Sequence, residues 1–162
     1  MINDNVKLGK NVRIPQPDLV NIYGCEIGDN TMVGPFTEIA AGVKIGKNCK
    51  IQSHTYICEG VTIEDNCFIG HGVVFINDKY PQATNSKGEL EKTEDWKDRY
   101  VETYIEHNVS IGSNATIIGG IKIRNNSMIG AGSMVVHDVY TGTTVAGNPA
   151  KELKKNLEGK FE

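Results

Sequence analysis

One large apolar residue returns every six positions through the middle of the chain: Ile27, Val33, Ile39, Ile45, Ile51, Ile57, Ile63, Ile69 and Phe75. A period of six suits neither a helix nor an alternating strand. It suits short straight segments with a turn at a fixed place in each. Asn or Gly usually stands three residues further on (Asn30, Gly42, Asn48, Gly60, Asn66, Gly72), and these two residues most readily take a positive φ at a turn. Two residues before each apolar one stands a small side chain: Cys25, Thr31, Thr37, Val43, Cys49, Thr55, Val61, Cys67 and Val73. A small residue can point inward beside a large one without crowding it. The pattern predicts an all-β fold, a triangular coil of six-residue sides stacked as a parallel solenoid.

The register extends both ways. Upstream it runs through Ile2, Leu8, Ile14 and Val20, with Asn5 and Asn11 at turns and one residue added before Ile27. Downstream it resumes at Ile105 and continues through Ile111, Ile117, Ile123, Ile129 and Val135, with Asn108, Asn114, Gly120, Asn126 and Gly132 at turns. Residues 1–137 therefore read as solenoid, interrupted by an inserted loop over 76–104, with a tail at 138–162 in which Glu152–Leu157 suggests a short C-terminal helix. Pro15 and Pro17 lack an N–H for a sheet ladder and belong at a corner or edge. The loop is polar, carries Pro81, Asn85, Gly88 and the only tryptophan, Trp96, and is long enough to suggest a function.

Composition excludes several classes. A chain of 162 residues with net charge −3 has no basic footprint for nucleic acid or an anionic membrane. No apolar run approaches a membrane span. The first residues lack the pattern of a secretory signal, which points to the cytoplasm. Of the four cysteines, Cys25, Cys49 and Cys67 take the small inward slot, as buried apolar residues do, and their spacing matches no zinc pattern. No metal site is expected.

Positions that break the turn rule are informative. His54 and Asp78 stand where Asn or Gly is expected, and so does Asp138 at the last turn. A residue held at positive φ despite a β-carbon often marks a functional site, which makes His54 and Asp78 candidates.

The repeat, the loop and the tail segment Ala146, Gly147, Asn148, Pro149, Ala150, Lys151 resemble the hexapeptide-repeat acyltransferases over essentially the whole chain. The resemblance implies a left-handed parallel β-helix, although parallel crossovers elsewhere are right-handed. It implies a homotrimer with active sites between subunits and acetyl-CoA as co-substrate. Backbone groups around Gly112, Ala115, Ile117, Ala131 and Gly132 would line the pantetheine arm, and Asn148, Pro149 and Lys151 would lie near the adenine and phosphate end.

A narrower resemblance rests on Gly72 to Pro81 and Lys50 to His54. These segments look like those of nucleotide-sugar N-acetyltransferases that acylate the 3-amino group of an aminohexose, as in UDP-2-acetamido-3-amino-2,3-dideoxy-glucuronate, for surface polysaccharides. Alternatives are a dTDP-3-amino-3,6-dideoxyhexose or a 4-amino sugar. On that likeness Asn77, His54 and Asp78 are the catalytic candidates, and Gln52, His71 and Tyr80 contact substrate. Acetyltransferases of simple sugars carry a catalytic histidine just before the loop proline, where this chain has Tyr80. Its absence favours an amine acceptor, already nucleophilic when neutral, over a hydroxyl. The implied chemistry is direct transfer: the amine attacks the thioester, backbone N–H groups hold the oxyanion, and His54 takes the proton. A zinc enzyme of the γ-carbonic anhydrase type fits poorly, because the second histidine of a His-x-x-x-x-His pair from His71 would fall at Ile76. A non-catalytic scaffold would leave the loop and tail unexplained. His107 and His137 read as surface residues.

Overall fold

The computed structural model describes residues 1–153. Its strands are mostly two residues long and form three sheets, the faces of a triangular prism. Face one holds Lys7–Leu8, Glu26–Ile27, Lys44–Ile45, Val61–Ile63, Thr103–Ile105 and Lys122–Ile123. Face two holds Met32–Val33, Lys50–Ile51, Phe68–Ile69, Ser110–Ile111, Met128–Ile129 and Thr144–Ala146. Face three holds Asn21–Ile22, Glu38–Ile39, Tyr56–Ile57, Val74–Phe75, Thr116–Ile117 and Met134–Val135. The chain visits the faces in that order and pairs each strand in parallel with its equivalent one coil away. The architecture is that of a left-handed parallel β-helix.

Register explains the period. Ile27 pairs with Ile45, Ile45 with Ile63, Ile63 with Ile105 and Ile105 with Ile123, so the apolar residues stack in columns inside the prism. From Ile27 to Val135 every one of them is at most 4 % exposed. Burying each such side chain stabilises the fold by about 1.5–3 kcal/mol. The small slots are as deeply buried, and their threonines are satisfied: the Thr55 hydroxyl donates to the carbonyl oxygens of Gln52 (2.8 Å) and Gly70 (3.1 Å). All four cysteines are buried and unbridged. Burial pushes the Cys25 thiol up to about 11 and that of Cys58 to about 12, so neither is a thiolate at neutral pH.

Three corners join the faces. The corner between faces one and two is an asparagine ladder in which Asn30, Asn48, Asn66, Asn108 and Asn126 all have positive φ. The Asn30 amide donates to Asn48 Oδ1 (3.3 Å) and that of Asn48 to Asn66 Oδ1 (3.2 Å). The second corner, between faces two and three, places Phe36, His54, Gly72, Asn114 and Gly132 at positive φ. The third uses Gly24, Gly42, Gly60 and Gly120.

His54 takes its turn position with φ 63°, and Phe36, at the equivalent position one coil earlier but of neither turn-favouring type, does so with φ 57°. Asn5, Asp78 and Asp138 do not. Asn5 and Asp138 instead close the third corner with side chains, accepting the N–H of Gly24 (2.9 Å) and of Lys122 (2.9 Å) respectively. At Asp78 the chain leaves the coil. The expected C-terminal helix is also corrected at its start: Lys151–Glu152 pair antiparallel with Ala146 and Val145. This return covers the open edge of face two. The remainder of that expected helix lies outside the described residues.

The loop is folded. It contains a helical turn at Thr93–Trp96 and a 3-10 turn at Lys97–Arg99, and Trp96 stacks on Tyr100 with ring centroids 5.0 Å apart. Its neck is closed twice. The Val101 N–H donates to the Asn77 carbonyl (3.1 Å). Arg99 donates from Nε to Asp78 (2.8 Å), where the chain departs, and from both terminal nitrogens to Glu91 (2.9 and 2.7 Å). These side chains are 28 % (Arg99), 13 % (Asp78) and 9 % (Glu91) exposed, so the clasp is more than a surface pair. Partial burial alone would raise the Asp78 carboxyl, but the Tyr80 N–H and the Arg99 guanidinium outweigh it and hold the group below its ordinary value. A carboxylate lowered in this way contributes stability that is complete above about pH 4 and is lost as pH falls through the lowered value. Arg99→Gln should therefore speed tryptic cleavage at Lys87 and Lys92 several-fold at neutral pH. It should also shift the emission of Trp96 there, a change the unmodified chain shows only below about pH 4. Unchanged cleavage and emission in the variant would rule the clasp out as the loop's anchor.

Candidate active site

The second corner gathers most of the residues that the sequence singles out. In each coil the strand of face two is followed by one residue, then a corner pair: Gly34 before Pro35 and Phe36, Gln52 before Ser53 and His54, Gly70 before His71 and Gly72, Gly112 before Ser113 and Asn114, Gly130 before Ala131 and Gly132. The pairs stack, because His54 donates its N–H to Pro35, Gly72 to Ser53, Asn114 to His71 and Gly132 to Ser113. The N–H groups of Ser53, His71, Ser113 and Ala131 make no hydrogen bond among the described residues. The corner thus presents a row of free backbone donors spaced by about 4.8 Å, the distance between neighbouring strands. A row of this kind can hold a carbonyl oxygen that gains negative charge.

Beside that row runs a lane of small residues. Gly70 is buried and Gly112 and Gly130 are half-buried, and the coils pack closely there: a β-carbon added to Gly112 would lie 2.5 Å from the Ala131 nitrogen. Ala115 and Ile117 point into the core, and their carbonyls accept ladder bonds from Val74 and Ile76, so they back the lane rather than line it. At the C-terminal end of the lane the tail is seated by bonds from Gly147 N–H to Ser133 Oγ (3.1 Å) and from Ala150 N–H to the Met134 carbonyl (2.8 Å). Asn148 and Lys151 are exposed there.

Two histidines stand at the other end. The His54 ring leans on Phe36, centroids 4.8 Å apart. One coil on, His71 Nδ1 lies 2.8 Å from Ser53 Oγ. Gln52 is half-buried between them and the lane.

Asn77, Asp78 and Tyr80 belong to the third corner. Within one protomer this is a full prism side away, roughly 15–20 Å at the rise of a strand. The Asn77 amide donates to the carbonyl of Glu59 one coil earlier (3.0 Å), which leaves its Oδ1 as an acceptor. A cleft of about 200 Å³ opens beside it, lined by Glu59, Gly60, Lys97, Tyr100, Val101 and Glu102. The Tyr100 hydroxyl is raised, first by burial and then by the Glu59 carboxylate, so it remains a neutral donor. The Asp78 carboxylate is committed to Arg99 and the Tyr80 N–H, and the Tyr80 ring is exposed.

Sequence reasoning missed Ser53, Glu59 and Tyr100. A signal existed for two of them: Ser53 lies 18 residues before His71 and Glu59 18 before Asn77, one coil in each case. The largest groove, about 810 Å³, lies elsewhere, on face one between Lys7, Lys44, Glu64 and His107. It holds none of the candidates, and its Glu64 is paired with His107 at 3.1 Å. Among the described residues no helix is long and apolar enough to cross a membrane, and no three His, Cys, Asp or Glu side chains converge as metal ligands do.

Comparison with known proteins bears on this geometry. A 50-residue segment is 54 % identical to 2,3,4,5-tetrahydropyridine-2,6-dicarboxylate N-acetyltransferase of Clostridium perfringens, covering 31 % of this chain and 21 % of that protein. The chain thus spans about a fifth of the length of that relative. Over 91 % of its length it superposes on 82 % of a variant of AntD, an N-acyltransferase from Bacillus cereus solved with dTDP and coenzyme A, with TM-score 0.75 and 21 % identity. Over 93 % it superposes on 54 % of a variant of perosamine N-acetyltransferase from Caulobacter crescentus solved with CoA and GDP-perosamine, with TM-score 0.61 and 18 % identity. The model of the bacterial transferase hexapeptide (six repeats) matches residues 24–58, 42–77 and 102–137, more than half of the chain. With its coils and its register accounted for by that repeat, the chain belongs to the bacterial hexapeptide transferase family.

Proposed function

We propose that the protein is an acetyl-CoA-dependent N-acetyltransferase acting on the 3-amino group of a nucleotide-linked amino sugar, such as UDP-2-acetamido-3-amino-2,3-dideoxy-glucuronate, in surface polysaccharide biosynthesis. The observation that carries the reading is the second corner. Its lane of small residues and its free N–H groups suit a pantetheine arm and a thioester carbonyl, and they end on histidines. The dTDP and the GDP-perosamine bound in the two similar structures support the acceptor class. Asn148, Pro149 and Lys151 are at the end of the lane where the nucleotide of CoA would lie. Acetyl-CoA as donor and four reduced thiols suit the cytoplasm.

The reaction is direct transfer. The amine attacks the thioester carbon, backbone N–H groups at the corner stabilise the oxyanion, and a histidine of the corner, His54 or His71, takes the proton. Asn77 accepts from the sugar amine through Oδ1, and Gln52 and Tyr80 are placed to contact the sugar. Asp78 serves by holding the loop neck on which Asn77 stands. Because Asn77 and the histidines occupy different corners, a site that uses both is completed by the loop of a second subunit. Faces two and three supply a surface for such an assembly: Tyr56, Phe68, Val74 and Met128 point outward and are exposed beside the second corner.

A second reading deserves an arm of the test, since a 50-residue segment is 54 % identical to a tetrahydrodipicolinate N-acetyltransferase. UDP- and dTDP-linked 3-amino and 4-amino sugars and tetrahydrodipicolinate are each incubated with acetyl-CoA, and thiol release is measured. The expected result is turnover of a 3-amino sugar at least tenfold above the other acceptors. Turnover of tetrahydrodipicolinate alone would replace the sugar reading. Sedimentation is expected to give a trimer; a stable monomer at assay concentration would remove the second subunit's loop from the site. Asn77→Ala should lower kcat/KM by roughly 1–3 kcal/mol, the cost of an unpaired polar group in a closed site. Thermal melting of that variant should stay close to the parent, because Asn77 lies outside the core, and an unchanged kcat/KM would take it out of the site.

A further inference from the structure

We infer that His71, held by Ser53, is the group that takes the proton from the acceptor amine; the inference rests on the acetyl-transfer reading above. Three observations favour it over His54. The first is orientation. Ser53 Oγ and His71 Nδ1 are 2.8 Å apart, whereas the ring nitrogens of His54 have no partner among the described residues and its ring rests on Phe36. A ring fixed through one nitrogen aims the other. With Nδ1–H donating to Ser53 Oγ, the lone pair sits on Nε2, and His71 is exposed to an incoming amine.

The second is position. A chain laid along the lane from the tail passes the free N–H groups of Ala131 and Ser113 before that of His71. Ser113, Asn114, Ala131 and Gly132, which flank that path, carry no titratable side chain. The first one met is His71, directly after Gly70; His54 lies a coil further on. The third is the donor row. The N–H groups of His71 and Ser113 make no hydrogen bond among the described residues, and they lie one coil apart on either side of the place where an acyl carbonyl would end. The same corner therefore offers a base and oxyanion donors within one strand spacing.

The step balances without a further reactant. The neutral amine forms a bond to the thioester carbon and the carbonyl electrons move to oxygen. The amine proton passes to His71 Nε2. As the carbonyl reforms, the carbon–sulfur bond breaks, and the departing thiolate takes the proton from the imidazolium. One proton moves from nitrogen to sulfur, and His71 returns to its neutral form. Ser53 is a positioning residue, which orients the ring and touches neither substrate.

The test uses the purified full chain, acetyl-CoA and the acceptor that turns over fastest in the panel above. His71→Gln is expected to lower kcat by about 10²-fold or more with KM for both substrates within threefold. Ser53→Ala should lower kcat roughly tenfold and leave KM unchanged. Nitrogen-15 shifts of His71 should show the Nδ1–H tautomer in the parent chain and a tautomer mixture in Ser53→Ala. A larger loss from His54→Asn than from His71→Gln would overturn the assignment, and so would an Nε2–H tautomer in the parent. No transfer to any acceptor by the parent chain would overturn the functional reading itself; normal transfer with a silent His71→Gln overturns only this one.

Discussion

The parallel pairing of each strand with its equivalent one coil away is the constraint on which the rest depends. With strands only two residues long, no strand is stable by itself. Each gains its place by stacking, in register, an inward Ile or Val on the one below and by lending its N–H and carbonyl groups to coils on both sides. A one-residue slip would turn the Ile45 column outward and drive Lys44 into the core. Register is therefore specified at every coil, and so is the vertical alignment of the corners. The candidate site is a product of that alignment: Ser53 meets His71, and Gly70 meets Gly112, because they are one coil apart and for no local reason.

The corners divide the work by chemistry. Where faces one and two meet, stacked asparagines both take the left-handed turn and bond to each other, which makes that corner a structural seam. The second corner gives up that ladder over part of its length. Phe36 and His54 hold a conformation that costs a residue with a β-carbon, a cost the surrounding coils impose. Glycines just before the turns let neighbouring coils approach closely, while the N–H groups that follow them stay unpaired among the described residues. Such a corner contributes less to stability than an asparagine seam does and presents donors that a closed seam would not.

Most of the prism was legible because its rule is periodic: the inward column, the small slots and the asparagine turns each follow from the identity of residues at fixed spacing. What could not be read is where residue type and spacing disagree. Phe36 stands three residues after Val33, at a turn position, yet a phenylalanine gives no sign of the left-handed φ that the coils around it impose. Asn5 fits the turn rule by type and Asp138 breaks it, yet both close their corner with side-chain acceptors, one at each end of the prism where a neighbouring coil is missing. Asp78 breaks the rule too, but its carboxylate goes to Arg99, 21 residues away across a loop whose contacts are decided by tertiary structure. Glu152, read as helix, is recruited as a strand because face two has an open edge there.

The site itself was half legible, and the missing half has a physical explanation. Gln52, His54, His71, Gly112, Ala131 and Gly132 were named for separate reasons, and the fold brings them to one corner. Asn77 was grouped with them, yet within a protomer it stands at the next corner, bonded to Glu59. A coil that closes every eighteen residues returns to the same corner only after a whole turn, so residues six apart share a role in the repeat but face different directions. His71 and Asn77 are six apart. No flexing of a rigid prism brings them together, and the loop neck clasped by Arg99 holds Asn77 where it is. Either the two act in separate sites or a second copy brings its own third corner to this chain's second. The exposed apolar side chains on the two faces that flank the second corner favour the latter, because burying them needs the same approach that the chemistry needs.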